Sequence, residues 1–322
     1  MQKIKYFPLE RLAKNIILID GIARSGKLLT GAIVSSFQKT EHLEFGLNFE
    51  HFCPAVEFNK VSIDFAKAYL NSYLNELIYN KYLSRNANFR PNDRTSVLKS
   101  SNPQLYKNRL KQKEGDRIVR LINKQKKNLP FITHDLLVTI NGLNKLDINY
   151  KMIHLFRNPI DLIISWYKRG LGKRYGKDQR QWTLLMQKKN KIYPWYDYLF
   201  KENEKKNNEL EKCANYVFFL TKISLENFKK IKKNQKKKIF ITSYERIVYD
   251  TFLEFKRIAK FLNSGITKNT IKFMKNEKCP KKYDKLSFSK KKLFIKKNIN
   301  KILFEKILKL EREFSNNIYG IG

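Results

Sequence analysis

Four consecutive apolar residues, three of them isoleucine, occupy positions 16–19 between Asn15 and Asp20. A short β-branched run without alternation predicts a strand buried on both faces of a parallel sheet. A glycine-bracketed turn follows at 21–27 (GIARSGK), and the apolar spacing of 28–37 then continues as a helix. Residues 62–82 carry Phe65, Tyr69, Tyr73 and Leu77 four apart, which predicts a long helix burying that row. A polar, proline-containing loop comes next at 85–96 (RNANFRPNDRTS). Short strands are expected at 130–133, 151–156 and 239–242. After Arg157, Asn158 suits an N-cap, Pro159 the first helical position and Asp161 the positive end of the helix dipole. Ile160, Ile163, Ile164 and Tyr167 mark the buried face of that helix. The lysine-rich stretch 201–238 reads as helical, and so does 251–262 with Phe252, Phe255, Ile258 and Leu262 inward. Ile299, Leu303, Ile307, Leu310 and Phe314 step by three or four, predicting an amphipathic C-terminal helix.

Strands alternating with helices imply an α/β fold with a mainly parallel sheet, which binds ligands at the carboxyl ends of its strands. Composition agrees with a packed core: 42% of the 322 residues are hydrophobic and 13% aromatic. Charge changes the picture more. Lys and Arg number 67 against 29 acidic residues, a net charge of +38. That field attracts anionic ligands. Lys, Asn, Ile, Phe and Tyr are enriched together, as an AT-rich coding bias would produce. No nucleic-acid-binding motif accompanies the charge, so nucleic acid is not an expected partner. The scattered Cys53, Cys213 and Cys279 exclude a disulfide scaffold and argue against a zinc site. With no signal peptide and no stretch long enough to span a membrane, a cytoplasmic location is expected.

Gly21, Gly26 and Lys27 fit G-x-x-x-x-G-K between a strand and a helix. Glycines let backbone N–H groups converge on phosphate oxygens, and Arg24 and Lys27 add full positive charge. Leu28 follows Lys27 where a nucleotide hydrolase or kinase carries the hydroxyl that holds Mg²⁺. The loop therefore suits a reaction that grips phosphate without metal. Downstream, residues 157–167 (RNPIDLIISWY) set Arg157 eight positions before Ser165, and the two can converge on one phosphate.

These segments resemble sulfotransferases that use 3′-phosphoadenosine 5′-phosphosulfate. Residues 21–28 are similar to the family's 5′-phosphosulfate loop, with Arg24, Ser25 and Gly26 in the place of its basic residue, Ser and Gly. Lys27 and Leu28 stand where threonines are common. Residues 157–167 resemble the 3′-phosphate motif, and 241–261, with Tyr244 and Glu245 at the turn, resemble a late strand–helix segment. The resemblance covers 15–40 and 131–262. It implies a P-loop-type three-layer sandwich around a central, mainly parallel sheet. An α/β domain over 1–265 would carry a helical insertion at about 60–125, and 266–322 would form a C-terminal helical arm on the same domain.

The resemblance also implies a nucleotide-binding set of Gly21, Arg24, Ser25, Gly26, Lys27, Leu28, Arg157, Ser165 and Tyr244, and no metal. Arg24, or Lys27 if Arg24 points away, would stabilise charge on the leaving phosphate. Thr133 and His134 fall where the cytosolic branch has Lys-Thr-His, which makes His134 the expected base, with Ile132 replacing the lysine. Asp135 and Glu57 are the carboxylate alternatives. His154, inside an apolar strand, reads as a satisfied core residue. No Arg-Lys-Gly occurs near the C-terminus; Lys281, Lys282 and the run Lys290, Lys291 and Lys292 could replace it. The acceptor is a hydroxyl left open by the sequence, with 85–96 as a candidate face for a sugar or an anion. Two other classes stay in view: a P-loop kinase or NTPase, and a basic nucleic-acid-binding protein on a degenerate nucleotide fold. The sequence does not address oligomeric state.

Overall fold

The computed structural model describes residues 4–174, 178–188, 190–200 and 208–316. Strand β1 (Asn15–Asp20) leads through the glycine turn into α1 (Lys27–Val34), then β2 (Glu44–Phe45), α2 (Leu47–Glu57) and α3 (Ile63–Leu83). α4 (Pro103–Arg109) and α5 (Asp116–Gln125) precede β3 (Asn128–Ile132), α6 (Ile140–Lys145), β4 (Tyr150–Phe156) and α7 (Pro159–Lys168). A short α8 (Leu171–Arg174) and the antiparallel pair β5 (Leu185–Lys188) and β6 (Lys191–Pro194) come before α9 (Glu209–Lys230) and α10 (Lys233–Lys236). β7 (Ile239–Ser243) is followed by α11 (Tyr244–Tyr249), α12 (Thr251–Leu262), α13 (Lys268–Asn276), α14 (Lys285–Asn298) and α15 (Lys301–Phe314).

The five main strands are all parallel, in the order β2-β3-β1-β4-β7, so β1 lies at the centre with Leu18 opposite Phe131 on one side and Met152 on the other. Burial on both faces explains the unbroken apolar run. Ile16 and Leu18 face a core built with α2, α3, α5 and α6. Ile17 and Ile19 face another built with α1, α12 and Met274. The helices after neighbouring β1 and β3 therefore go to opposite faces, and a crevice opens at the carboxyl ends of these strands. A third core joins α7 to α9, α14 and α15. Among the described residues no helix is long and apolar enough to cross a membrane.

Several boundaries and faces differ from the sequence reading. In α3 the fully buried row is Ala66, Leu70, Leu74 and Ile78, one residue on from the expected aromatic row, and Tyr69 is exposed. Phe252 is exposed; the buried carboxylate of Glu254 takes an inward place on α12, accepting hydrogen bonds from Thr242 Oγ1 and Arg257. The helix expected over 201–238 is two helices, since Ile231 turns extended between α9 and α10; 201–207 lie outside the described residues. Ile299 ends α14, and α15 starts afresh behind an Asn300 cap.

Candidate active site

Two constraints shape the turn after β1. Gly21 (φ 145°) approaches the end of β4 so closely that a Cβ there would lie 2.4 Å from the Leu155 carbonyl oxygen. Gly26 (φ 104°) caps α1, and a Cβ on it would lie 2.6 Å from the Tyr244 ring. Between them Arg24 is held left-handed at φ 70°, a conformation that surrounding contacts must enforce. α1 has no side-chain cap and no acidic residue in its first turn, so its N-terminal dipole is left uncompensated by protein. The Ser25 hydroxyl is buried with no hydrogen-bond partner among the described residues.

Lys27 does not point out of the loop. Its ammonium is buried and donates to the carbonyls of Gly21 and Ile22, both at 2.7 Å. Burial lowers its pKa to about 8 against the opposing pull of Asp20, Asp135 and Glu50. Leu28 packs toward the α1 core and Thr30 is buried with its hydroxyl on the Gly26 carbonyl, so neither supplies an outward hydroxyl. Arg24 is the exposed cation, with Nε donating to Ser165 Oγ at 3.2 Å. Its pKa is held below the usual arginine range by burial, then by the charges of Arg157 and Arg169.

Arg157 leaves the end of β4 and donates through Nη1 to the Arg24 carbonyl at 2.8 Å. Its guanidinium lies 4.3 Å from the Tyr244 ring centroid, while its Nε is buried without a partner among the described residues. Lys281 donates to the Tyr244 hydroxyl at 3.0 Å. Lys291 and Lys292 instead pair with Asp161 and Glu311. Trp166 Nε1 donates to the Ala23 carbonyl at 2.7 Å, fixing α7 to the turn. Glu245 accepts from Asn158 N–H at 3.0 Å, and burial raises its carboxyl pKa to about 6.

Across the crevice, His134 follows β3 and is half-buried; its Nδ1 lies 2.9 Å from Glu50 Oε1 on α2. With Nδ1 committed, Nε2 is the ring nitrogen left to meet a ligand. Asp135 beside it is left-handed (φ 60°), and burial raises its carboxyl pKa to about 7 against the pull of His134 and Lys27. Asp20 organises this segment. It accepts from Thr133 Oγ1 and from the N–H groups of Leu136 and Leu137, and it lies 2.8 Å from Nδ1 of buried His154. Glu57 is occupied elsewhere, accepting from the Asn141 side chain and the Gly142 N–H at the start of α6. Ile132 is buried against Gly31 of α1. His134 opens onto a cavity of about 250 Å³ that also reaches Ala23, Phe45, Glu50 and Trp166.

Three ingredients therefore meet at one end of the sheet: a cation-rich anion cradle, orphaned donors, and an oriented imidazole facing a cavity. Sequence reasoning missed Glu50, Asp20 and Arg169. An aspartate closing a fully apolar strand is a readable signal, because buried charges are almost always paired; nothing local marks the other two. Among the described residues no group of His, Cys, Asp and Glu could hold a metal.

A family model described as a sulfotransferase domain matches residues 14–318. Comparison with curated proteins returns no match. The fold is similar to a sulfotransferase domain from the curacin biosynthetic pathway, with 12% identity, 97% of this chain and 99% of that one covered, and a TM-score of 0.47. It is also similar to the sulfotransferase domain of the Synechococcus PCC 7002 olefin synthase, with 13% identity, coverage of 97% and 98%, and a TM-score of 0.48. A retinol dehydratase in complex with androsterone and inactive cofactor PAP matches at 12% identity, coverage of 97% and 82%, and a TM-score of 0.36.

Proposed function

The chain belongs to the sulfotransferase domain family, and from that premise we propose that it moves a sulfuryl group from 3′-phosphoadenosine 5′-phosphosulfate to a hydroxyl acceptor. The observation that carries this reading is the pair of orphaned polar atoms at the cradle. Ser25 Oγ and Arg157 Nε are both buried and unpartnered among the described residues, and such groups call for a ligand. They stand beside Arg24, whose charge is disfavoured by burial and then by the charges of Arg157 and Arg169, a cost that an anionic ligand removes.

When bound, the nucleotide supplies the activated sulfuryl group. Ser25 and the N-terminus of α1 bind its 5′-phosphosulfate end; Arg157, Ser165 and Lys281 bind the 3′-phosphate, and Tyr244 lines the site between Gly26 and Arg157. Arg24 stabilises the negative charge that grows on the leaving phosphate oxygen. His134 accepts the acceptor's proton at Nε2 as the new O–S bond forms and the bond to phosphate breaks. Glu50 orients the ring and stabilises the imidazolium that results. Lys27 holds the loop carbonyls in place from below. The buried thiols Cys53, Cys213 and Cys279, none in a disulfide, support a reducing, cytoplasmic setting.

Calorimetry with adenosine 3′,5′-bisphosphate and with ATP, each with Mg²⁺ and with EDTA, tests the reading. The bisphosphate should bind equally well in EDTA, and ATP much more weakly. Mg²⁺-dependent ATP binding of equal or better affinity overturns it in favour of a kinase or NTPase.

A further inference from the structure

Whatever carries the acceptor hydroxyl must enter the cavity of about 250 Å³ in front of His134. All three tryptophans of the chain, Trp166, Trp182 and Trp195, line that cavity, together with Tyr196, Phe45 and Leu47. Among the described residues, the charged side chains on its wall other than Asp135 are engaged with protein groups. Glu50 holds the His134 ring, and His51 Nε2 lies 2.7 Å from the Trp182 carbonyl. Arg174 and Arg180 both pair with Asp178. The 85–96 loop, expected as a face for a sugar or an anion, does not line this cavity. Its arginines are paired, Arg85 with Glu114, Arg90 with Asp93 and Arg94 with Glu277. Aromatic walls with few free polar groups suit a planar ring and leave the several hydroxyls of a sugar without partners. Size agrees: a cavity of about 150 Å³ holds one benzene, so this one takes a single ring with its substituents.

Asp135 is the exception on the wall. Neither oxygen of its carboxylate has a hydrogen-bond partner among the described residues. Oδ1 is buried, whereas the residue as a whole is half-buried and lines the cavity, so Oδ2 is the oxygen open to it. The backbone there is fixed: Asp135 is left-handed, and its carbonyl accepts from the N–H groups of Val138 and Thr139 at 3.0 and 3.3 Å. Burial raises its carboxyl pKa to about 7, as expected of a carboxylate short of donors, and a donor on a ligand would stabilise its charged form. An ammonium could supply that donor, but the field of a chain with net charge +38 opposes a cationic ligand. A hydroxyl meets no such opposition.

We propose that the acceptor is a diphenol: a planar ring held among the aromatic walls, with one hydroxyl at His134 Nε2 and a second donating to Asp135 Oδ2. Asp135 is then the residue that sets acceptor specificity. That the first hydroxyl reacts rests on the sulfotransferase reading; the ring site and the Asp135 contact do not.

Tryptophan fluorescence of the full chain reads binding directly, because every tryptophan lies on the cavity wall. The probes are 4-methylphenol, 4-methylcatechol, 5-methylresorcinol and methyl β-glucoside, each titrated with and without saturating adenosine 3′,5′-bisphosphate. At least one diphenol should bind about tenfold or more tighter than 4-methylphenol, as a hydrogen bond to a charged acceptor implies. The glucoside should not bind. In Asp135→Asn, which tolerates the left-handed backbone and removes the charge, the preference for the diphenol should largely vanish. If that variant does not fold, Asp135→Gly, equally suited to positive φ, should show the same loss. A glucoside bound as tightly as the phenols, no phenol bound with or without the bisphosphate, or a diphenol preference unchanged in the folded variant overturns the proposal. Diphenol binding that depends on Asp135, in a chain that transfers no sulfuryl group from the donor nucleotide, leaves the ring site standing and removes the sulfotransferase reading. Sulfuryl transfer to 4-methylphenol without any diphenol preference does the reverse.

Discussion

Arg157→Ala separates the two phosphate ends of the nucleotide. In the free chain this side chain donates from Nη1 to the Arg24 carbonyl and stacks on Tyr244, while its buried Nε has no partner among the described residues. A guanidinium–phosphate contact contributes about 1.5–3 kcal/mol, which corresponds to about 10- to 150-fold in affinity. That loss should appear for adenosine 3′,5′-bisphosphate. The bond to Arg24 shapes the loop for every ligand, and losing one ordinary hydrogen bond costs about 0.5–1.5 kcal/mol. Adenosine 5′-phosphate should therefore weaken by only about 2- to 12-fold. Stability has an opposing contribution, since removing Arg157 relieves repulsion on Arg24, so the variant should remain folded. Calorimetry with both nucleotides, in wild type and variant, gives the difference directly. Equal weakening of the two would refute the assignment and leave Arg157 with a purely architectural role.

Further expectations concern the base and the buried charges. His134→Ala should leave bisphosphate affinity nearly unchanged while sulfuryl transfer, followed with a phenol acceptor, falls by about 10²- to 10⁴-fold and loses the pH limb carried by the base. Glu50→Gln should lower turnover less than that, again at constant nucleotide affinity; normal turnover in either folded variant moves the role to Asp135. Glu41 is fully buried among Arg109, Lys127 and the Tyr106 hydroxyl. Burial alone would raise its pKa, but Arg109, Lys127 and Lys81 hold it far below the usual carboxylate range. A depressed carboxyl contributes stability above its unfolded pKa of about 4.5 and loses it as the pH falls through the folded value. Glu41→Gln should accordingly cost about 3–5 kcal/mol in neutral denaturant unfolding, with the gap to wild type narrowing below about pH 4.5.

Elements whose signal is local were legible. β1 showed itself as an isolated isoleucine run, and the start of α7 as Asn158-Pro159, whose cap the structure repeats through Asn158 Oδ1 and Ile160 N–H. The two-residue β2 carries no pattern at all; it exists because Glu44 and Phe45 lie beside Phe131 and Ile132. The α3 stripe was misplaced because tyrosine and phenylalanine look apolar on paper yet can sit at a half-buried boundary, while Ala66 and Asn71 lie inside. In the site, spacing within one motif pairs Arg157 with Ser165, whereas the bonds that tie Arg24 to Ser165 and Arg157 to the Arg24 carbonyl span 141 and 133 positions and come from packing. The partnership of His134 with Glu50 spans 84 positions, and only the packing of α2 against the end of β3 creates it. The 85–96 loop shows the opposite failure. Its charges were visible, but their partners Glu114 and Glu277 were not.

The central position of β1 has a consequence during synthesis. Its apolar run is complete at Asp20, yet its neighbours β3 and β4 begin only at Asn128 and Tyr150. At a translation rate of about 5–20 residues per second, the strand waits roughly 5–20 s or longer for its first partner. Throughout that interval a β-prone, uncharged segment is exposed on the nascent chain with no hydrogen-bonding mate. Slow, long-range pairing of this kind sets the pace of folding, so the yield of active protein in a cell should respond more strongly to chaperones that shelter nascent chains than to the stability of the finished fold.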